Sequence, residues 1–215
     1  MLCLQHSYPK TINGSVVSYG GNQMWAEKAA FQKCACGPVA ALDLLHYLKS
    51  EGVDEPIPLP VYNEELTLLI RRFFPLLPPF GINGWLLAAG INRVFREQSL
   101  PYRAFWAASG TKIWVRITEM LSADLPVILA VGPNFPAVWM KERLRFFVKS
   151  KNGVFRPGTA TKSHYVTVTG MDEDWLRISS WGREYYISRR EYEDYVHRHS
   201  NPLFSNILYI KKTTD

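Results

Sequence analysis

The chain has 215 residues, of which 47% are hydrophobic and 20% charged, a composition typical of a folded globular protein and not of a disordered one. Its length suits one domain, and no apolar stretch is long enough to cross a bilayer. The formal net charge of +6 is scattered along the sequence without the signature of a nucleic-acid-binding module, so nucleic acid is not an expected partner.

The opening residues have no basic region followed by an apolar run, so the sequence predicts no secretory signal and a cytoplasmic location. Turns are indicated at residues 13–14 and 20–21. Three cysteines, Cys3, Cys34 and Cys36, are an odd number and do not form a disulfide framework. No second Cys/His pair has the spacing of a zinc site, so neither a metal nor another cofactor is expected.

A central helix is predicted over residues 37–49, directly after Cys36. The Gly-Pro pair that follows the cysteine suits a first helical turn, where proline needs no backbone donor. Leu42, Leu45 and Leu48 then recur at helical spacing and predict a buried face. A proline-rich connection follows, and the tract up to residue 122 is expected to be largely helical. Its helices are predicted over residues 63–74, 85–97 and 113–122.

The second half has the pattern of β-strands. Residues 126–131 form a short apolar run typical of a buried strand. After a basic and aromatic insertion at residues 134–158, His164 opens a run of alternating β-branched residues. An acidic turn leads to a second strand at residues 175–180, and together these predict an antiparallel hairpin. The remaining elements are a strand at 184–188, a short helix at 190–196 and a closing strand at 206–211.

Cys36 and His164 are the candidate nucleophile and its base. A cysteine attacks as the thiolate, and both a helix N-terminus and a nearby imidazolium would lower the pKa of the Cys36 thiol. The free N–H groups at the same helix start would also stabilise an oxyanion. Cys34 is the alternative nucleophile, but no Gly-Pro helix opening follows it.

Two strings around these residues resemble the papain superfamily of cysteine peptidases: CGPVAALDLLHYL at residues 36–48 and SHYVTVTGMDEDWLRISSWG at residues 163–182. They are most similar to the bacterial peptidases that cleave double-glycine leaders and to the stand-alone relatives of those peptidases. The resemblance implies a single papain-like α+β domain over residues 1–215. Its helical half, about residues 1–122, would pack on an antiparallel β half, about residues 123–215.

The resemblance also implies roles for single residues. Cys36 would be the nucleophile and His164 the general base. The third residue of the family, an Asn or Asp that orients the imidazole, falls on Ser180 by spacing and strand parity. Matching the Trp-Gly pair that follows it in the family points to Ser179 instead, and both alternatives remain open. Trp181 would cover the site and exclude water.

The family's oxyanion donor is a Gln side chain six residues before the nucleophile, and here that position is Ala30. Gln32 could take its place if the loop is shorter, and Gln23 is a more distant alternative. Loss of one oxyanion donor costs about a hundred- to a thousandfold in rate.

The sequence therefore predicts a thiol-dependent hydrolase, a peptidase that uses a Cys/His pair on a peptide or protein substrate. An acyl transferase on the same fold is an alternative, because an amine or thiol could resolve the acyl-enzyme in place of water. A weak or inert papain-like module that binds peptide or protein is a third hypothesis. Serine at the third position and Ala30 at the Gln position favour it.

Overall fold

A computed structural model describes residues 1–50, 52–107, 110–132 and 142–213 of the chain, which adopt an α+β fold. Helices from both parts of the sequence cover an antiparallel sheet. The helices are α1 (Ala29–Gln32), α2 (Cys36–Lys49), α3 (Leu59–Phe73), α4 (Gly84–Glu97), α5 (Ile113–Ser122) and α6 (Arg189–His199).

The strands fall mainly in the second half of the sequence. They are β1 (Leu2–Cys3), β2 (Thr11–Asn13), β3 (Val16–Val17), β4 (Ile57–Pro58), β5 (Tyr102–Trp106), β6 (Val127–Val131), β7 (Leu144–Lys149), β8 (Phe155–Thr161), β9 (His164–Met171), β10 (Trp175–Ser180), β11 (Arg183–Ser188) and β12 (Ile207–Lys212).

The main sheet has the order β5-β12-β6-β9-β10-β11-β7-β8, and β1 adds to β9. The strand pairs of this sheet are antiparallel. In the register of β6 and β9, Val131 lies opposite His164 at the end of the pair. A small second sheet joins β3, β2 and β4 near the N-terminus. The central position of β9 brings its first residue, His164, close to the covering helices.

Alternating residues of β6 show how the core is layered, because successive side chains of a strand point to opposite faces. Ile128 belongs to an apolar cluster with α2, α3 and α4. Its neighbours Val127 and Leu129 belong to a second cluster, which includes residues of α5 and α6. The sheet is thus buried on both faces. Among helices in the described ranges, none combines the length and apolar character needed to cross a membrane.

The predicted helices are confirmed, with changes at their ends. Helix α5 has the predicted bounds, and α2 begins one residue early, at Cys36. Helix α3 begins at Leu59, four residues before the prediction, inside the segment predicted as a proline-rich connection. Pro60 lies in the first turn of α3. Backbone N–H groups there have no helical acceptor, so the absent N–H of proline costs no hydrogen bond.

Several strands were not predicted, namely the short strands β1 to β4 and the longer β5, β7 and β8. β5 lies in the tract expected to be helical, and its partner β12 is about a hundred residues away in sequence. β7 and β8 lie in the segment described above as a basic insertion at residues 134–158, part of which (134–141) is outside the described residues. In β7 Leu144 and Phe146 are buried, whereas the Arg and Lys side chains are exposed. These charged residues on the outer face make the sequence look like a basic insertion and obscure the alternation of apolar and polar residues that is typical of a strand.

Candidate active site

Cys36 is the first residue of α2, which places its side chain at the positive end of the helix dipole. The side chain is half-buried. The next residue, Gly37, is in a crowded position, because a Cβ atom there would lie 3.0 Å from Ile82 and 3.3 Å from Tyr165. A glycine at this point therefore lets the start of α2 approach β9 closely.

His164, the first residue of β9, faces the end of β10. Its Nε2 atom lies 2.8 Å from Oγ of Ser180. The imidazole also stacks on the indole of Trp181, with ring centroids 4.3 Å apart and an interplanar angle of 15°. The residue is 8% exposed. Of its two ring nitrogens, Nε2 is the one that contacts Ser180.

The two candidates for the third position separate in the structure. Ser180 contacts His164, whereas Oγ of Ser179 donates a hydrogen bond to the carbonyl of Tyr19 at 2.9 Å. Adjacent residues of a strand point to opposite faces, so only one of the two serines can face the imidazole. The geometry favours Ser180.

Cys36 and His164 line the same small cavity, together with Gln23, Ser180 and Trp181. The cavity has a volume of about 10 Å³. The elements that meet here are the start of α2, the start of β9 and the turn between β10 and β11. The structure therefore brings together the nucleophile and the base that the sequence predicts.

Burial dominates the electrostatics of this pair. It raises the pKa of the Cys36 thiol to about 11, although backbone N–H groups of Tyr165 and Gly37 act in the opposite direction. It lowers the pKa of His164 to about 3. The expectation that the helix dipole and an imidazolium lower the thiol pKa is therefore wrong for this resting state. Desolvation of the charged form is the largest cause in both groups, so at neutral pH thiol and imidazole are uncharged.

The two glutamine candidates also separate. Nε2 of Gln32 donates to the carbonyl of Ala26 at 2.9 Å, within its own loop, and Gln32 is not among the described residues that line the cavity. Gln23 does line it; its Nε2 donates to the carbonyl of Gln32 at 2.7 Å. An amide nitrogen carries two hydrogens, so a second one remains for an oxyanion. Ala30, at the position of the family's Gln, is exposed.

The alternative nucleophile lies away from this arrangement. Cys34 is 3% exposed, and its Sγ donates to the carbonyl of Ala30 at 3.2 Å. Cys3 lies on β1, beside Gly170. Across the described ranges no cluster of three or more His, Cys, Asp or Glu side chains has the arrangement of a metal site.

The sequence analysis missed Asp43, a buried carboxylate on α2 that also lines the cavity. Its oxygens accept hydrogen bonds from the backbone N–H of Gly21, at 2.9 and 3.1 Å, and from the hydroxyl of Tyr62 at 2.8 Å. Because Gly21 leads into the 3₁₀ turn that carries Gln23, the carboxylate ties this loop to the helix of Cys36. The signal that could have revealed it is an acidic residue inside the apolar stripe of a buried helix.

No protein-family model matches the chain, and no curated protein matches it either. Among solved structures, that of a candidate C39-like peptidase from Bacillus anthracis matches with a TM-score of 0.53 and 15% sequence identity. The match covers 96% of this chain and 99% of that one. The chain thus has the fold of a C39-like, papain-like peptidase. At this identity the likeness is one of fold, and any activity has to be argued from the chain's own residues.

Proposed function

We propose that the protein is a thiol-dependent hydrolase that cleaves peptide bonds with Cys36 and His164. The observation that carries this proposal is the grouping around one cavity of a cysteine at a helix start, a histidine at a strand start and a tryptophan stacked on that histidine. On a papain-like fold, this grouping supplies a nucleophile and a base in adjacent positions.

The first step in this proposal is proton transfer within a neutral pair. Nε2 of His164 donates to Ser180, and Nδ1 accepts the thiol proton while Sγ of Cys36 attacks the substrate carbonyl carbon. The imidazolium then returns its proton to the leaving amine as the C–N bond breaks. The acyl group remains on sulfur until water, deprotonated by His164, releases it as a carboxylic acid and restores the thiol.

Charge on the carbonyl oxygen would be stabilised by donors at the start of α2. In this turn Pro38 has no N–H and that of Val39 already donates to the carbonyl of Ala35 at 2.9 Å, so the available N–H groups are those of Cys36 and Gly37. The free hydrogen on Nε2 of Gln23 would add a side-chain donor. Both are fixed before the reaction, which is what makes such donors effective.

The first substrates to test are short extended peptides that contain a Gly-Gly pair, since the sequence resembles peptidases that cleave double-glycine leaders. Glycine has no side chain, so neither residue of such a pair would need a pocket in the cleft. We propose this specificity as the narrower form of the function, to be compared with peptides that carry Ala-Ala or Leu-Leu at the same place.

The proposal is tested by alkylating the full-length protein with iodoacetamide and mapping the modified cysteine by mass spectrometry. We expect the label on Cys36, lost in Cys36→Ala and slowed in His164→Ala. The matched control is Cys34→Ala, which removes the neighbouring thiol and should leave labelling of Cys36 in place. Peptide cleavage by the wild type, absent in Cys36→Ala, then tests the hydrolase itself. A label that follows Cys34 or Cys3 would refute the assignment.

An inert peptide-binding module is the second candidate, and the uncharged Cys36/His164 pair with Ser180 behind it is the observation in its favour. This function predicts that the wild type and Cys36→Ala bind the same peptides with equal affinity and that neither cleaves them. If cleavage is seen, added amines distinguish a transferase, whose products carry the amine, from a hydrolase.

A further inference from the structure

The candidate site has no acidic group at the position where the resemblance to papain-like enzymes implies Asn or Asp. Ser180 occupies this position, with its Oγ 2.8 Å from Nε2 of His164. A serine hydroxyl can either donate to or accept from an imidazole nitrogen, so on its own it does not select the tautomer with Nδ1 free. It also has no charge with which to stabilise an imidazolium. A working site would need that charge from another residue.

Asp43 is an acidic residue of the same cavity. It follows Cys36 by seven residues on α2, and two helical turns bring both residues to one face of the helix. The side chain of Asp43 is 2% exposed, and it lines the cavity together with His164, Ser179 and Ser180. The nucleophile helix thus carries a carboxylate into the cavity that the imidazole also lines.

This carboxylate is buried without an ion-pair partner in the described part of the chain. Its hydrogen-bond donors are the N–H of Gly21, the hydroxyl of Tyr62 and, at 3.4 Å, the hydroxyl of Tyr8. Within the described ranges, no Lys, Arg or His side chain forms an ion pair with it. Burial raises the pKa of Asp43 to about 6, so the carboxylate is mostly ionised at neutral pH. An asparagine would cost less to desolvate but has one acceptor oxygen in place of two, so a carboxylate here serves either its charge or its second acceptor.

The cavity that Asp43 and His164 both line has polar side chains among its apolar ones. Besides these two residues, the side chains of Thr167, Ser179 and Ser180 line it. Its volume of about 10 Å³ is close to the lower limit for one water, which needs two to four polar partners. A bridging water transmits a hydrogen bond nearly as well as direct contact does.

We propose that Asp43 is a positioning residue for His164. Its carboxylate acts across the shared cavity, through the Ser180 hydroxyl, to favour the imidazole tautomer with Nδ1 free and to stabilise the imidazolium during proton transfer. The proposal rests on the function proposed above. It assigns to the nucleophile helix a charge that papain-like enzymes are expected to place on the strand after the histidine.

A purely structural role for Asp43 is the competing explanation. The carboxylate holds Gly21, whose carbonyl accepts from the N–H of Gly182 at 2.8 Å, next to Trp181. Loss of this link would disturb the site whatever the charge. The variant Asp43→Asn addresses the two roles, because it keeps one acceptor oxygen for Gly21 while it removes the charge and replaces the second oxygen by an NH2 group.

Several titratable groups face Asp43 and enter any pH profile. Tyr8 from the N-terminal segment, His46 on α2 and Tyr62 on α3 interact with it, and His46 is itself paired with Glu65 of α3. His164 on β9 lines the same cavity. Both tyrosine hydroxyls have pKa values well above their usual range because they are buried, so they remain protonated below pH 9. A comparison of two variants at the same pH removes the contributions that they share.

The test compares rates of Cys36 alkylation by iodoacetamide in the wild type and in Asp43→Asn, at pH 5 and at pH 8. We expect the ratio of the wild-type rate to the Asp43→Asn rate to be near one at pH 5, where Asp43 is mostly protonated. At pH 8 the wild type should be faster by about ten- to a hundredfold, less than the roughly 10⁴-fold effect of a triad carboxylate in direct contact with its histidine. The ratio cancels the titration of the thiol. A ratio that is the same at both pH values would overturn the proposal.

Rescue gives an independent result. In the double variant Asp43→Asn/Ser180→Asp, a carboxylate directly beside His164 should restore the rate at pH 8. A lost structural link at Gly21 would not be restored in this way, so failure of the rescue in a folded double variant also contradicts the proposal.

If Asp43→Asn does not fold, the proposal can be tested on the wild type by ¹⁵N NMR of the His164 ring. The shift of Nε2 should change with a midpoint near pH 6 as Asp43 ionises, while the imidazole itself stays neutral. An invariant shift between pH 5 and 8 would overturn the proposal. None of these readouts uses peptide cleavage. Absence of cleavage would therefore count against the proposed hydrolase and leave the test of Asp43 intact.

Discussion

His164 is enclosed by its neighbours to a degree that shapes its chemistry. The indole of Trp181 covers one face of the ring, and Phe146 lies 6.5 Å from it between centroids. Because this environment disfavours the imidazolium, the pKa of His164 falls to about 3, and the ring is a neutral base throughout the physiological range. The imidazole of His164 becomes charged only transiently, during proton transfer.

Trp181 is held in a backbone conformation that suits it poorly. Trp181 and Gly182 form the two-residue turn between Ser180 and Arg183, and both have positive φ, 49° and 72°. A turn with two positive φ angles favours Asn-Gly, and a bulky residue in the left-handed region costs about 1 kcal/mol. The stack on His164 accounts for a tryptophan at this place, since the strained turn aims the indole at the imidazole.

The first residue-scale prediction concerns the oxyanion donor. We expect Gln23→Ala to lower kcat for peptide cleavage by about a hundred- to a thousandfold with little change in KM, because an oxyanion forms only in the transition state. Gln32→Ala is the matched control. It removes a hydrogen bond within the loop, so its effect on kcat should be much smaller. Steady-state kinetics of both variants measure the difference, and a larger loss in Gln32→Ala would reverse the assignment.

The sequence predicts part of this site and leaves a specific part open. Cys36 and His164 each start a regular element, which local patterns reveal. The choice between Ser179 and Ser180 depends on the face that each presents, and a β-bulge between Arg177 and Ile178 shifts the pairing of β10 with β9. Counting along the chain does not reveal such a shift.

At the scale of elements, the junction of β6 and β9 sets the position of His164. Gly132 follows β6 with a φ of 73°, and a Cβ atom there would lie 1.9 Å from the carbonyl oxygen of Lys162. That same oxygen accepts from the hydroxyl of Tyr195 on α6 at 3.1 Å. The segment before His164 is thus held between the end of β6 and a helix, with no space for a side chain.

We therefore expect Gly132→Ala to be far more destabilising than Gly153→Ala. Gly153 has a similar φ of 79°, but nothing lies within 4 Å of its added Cβ. Its substitution should cost only the left-handed strain, about 1 kcal/mol. Gly132→Ala must also displace backbone, so we expect a cost of roughly 3 kcal/mol or more. Urea unfolding of both variants measures this, and equal costs would show that the junction is loose.

The elements themselves were predictable to the extent that their signals are local. Helices α4 and α5 have strong apolar periodicity and were placed to within a residue. β5 forms because it pairs with β12 and packs beside α4, where Asn92 bonds both backbone groups of Ala104 at 2.8 Å. A five-residue strand whose partner lies at the other end of the chain leaves little trace in its own sequence.

For the whole molecule, two buried groups make stability depend on pH in opposite directions. His164 has a folded pKa of about 3 against an ordinary value of 6.5, so its contribution is lost as pH falls through this range. Asp43 has a folded pKa of about 6 against 3.8. Its contribution is fully present below 3.8 and is lost as pH rises through 6, because the folded protein must then hold a buried carboxylate. A pH profile of the wild type alone would mix the two effects.

Comparison with Asp43→Asn isolates the carboxylate, because His164 is present in both proteins. An asparagine does not titrate, so the wild type should lose stability relative to the variant by about 2.4 kcal/mol between pH 4 and 7.5, from 1.36 kcal/mol per pKa unit and an unfolded state that is already partly ionised at pH 4. Urea unfolding at the two pH values measures this change. A difference in the free energy of unfolding that stays constant with pH would mean that the pKa of Asp43 is close to its ordinary value. The carboxylate would then be better solvated than its 2% exposure indicates.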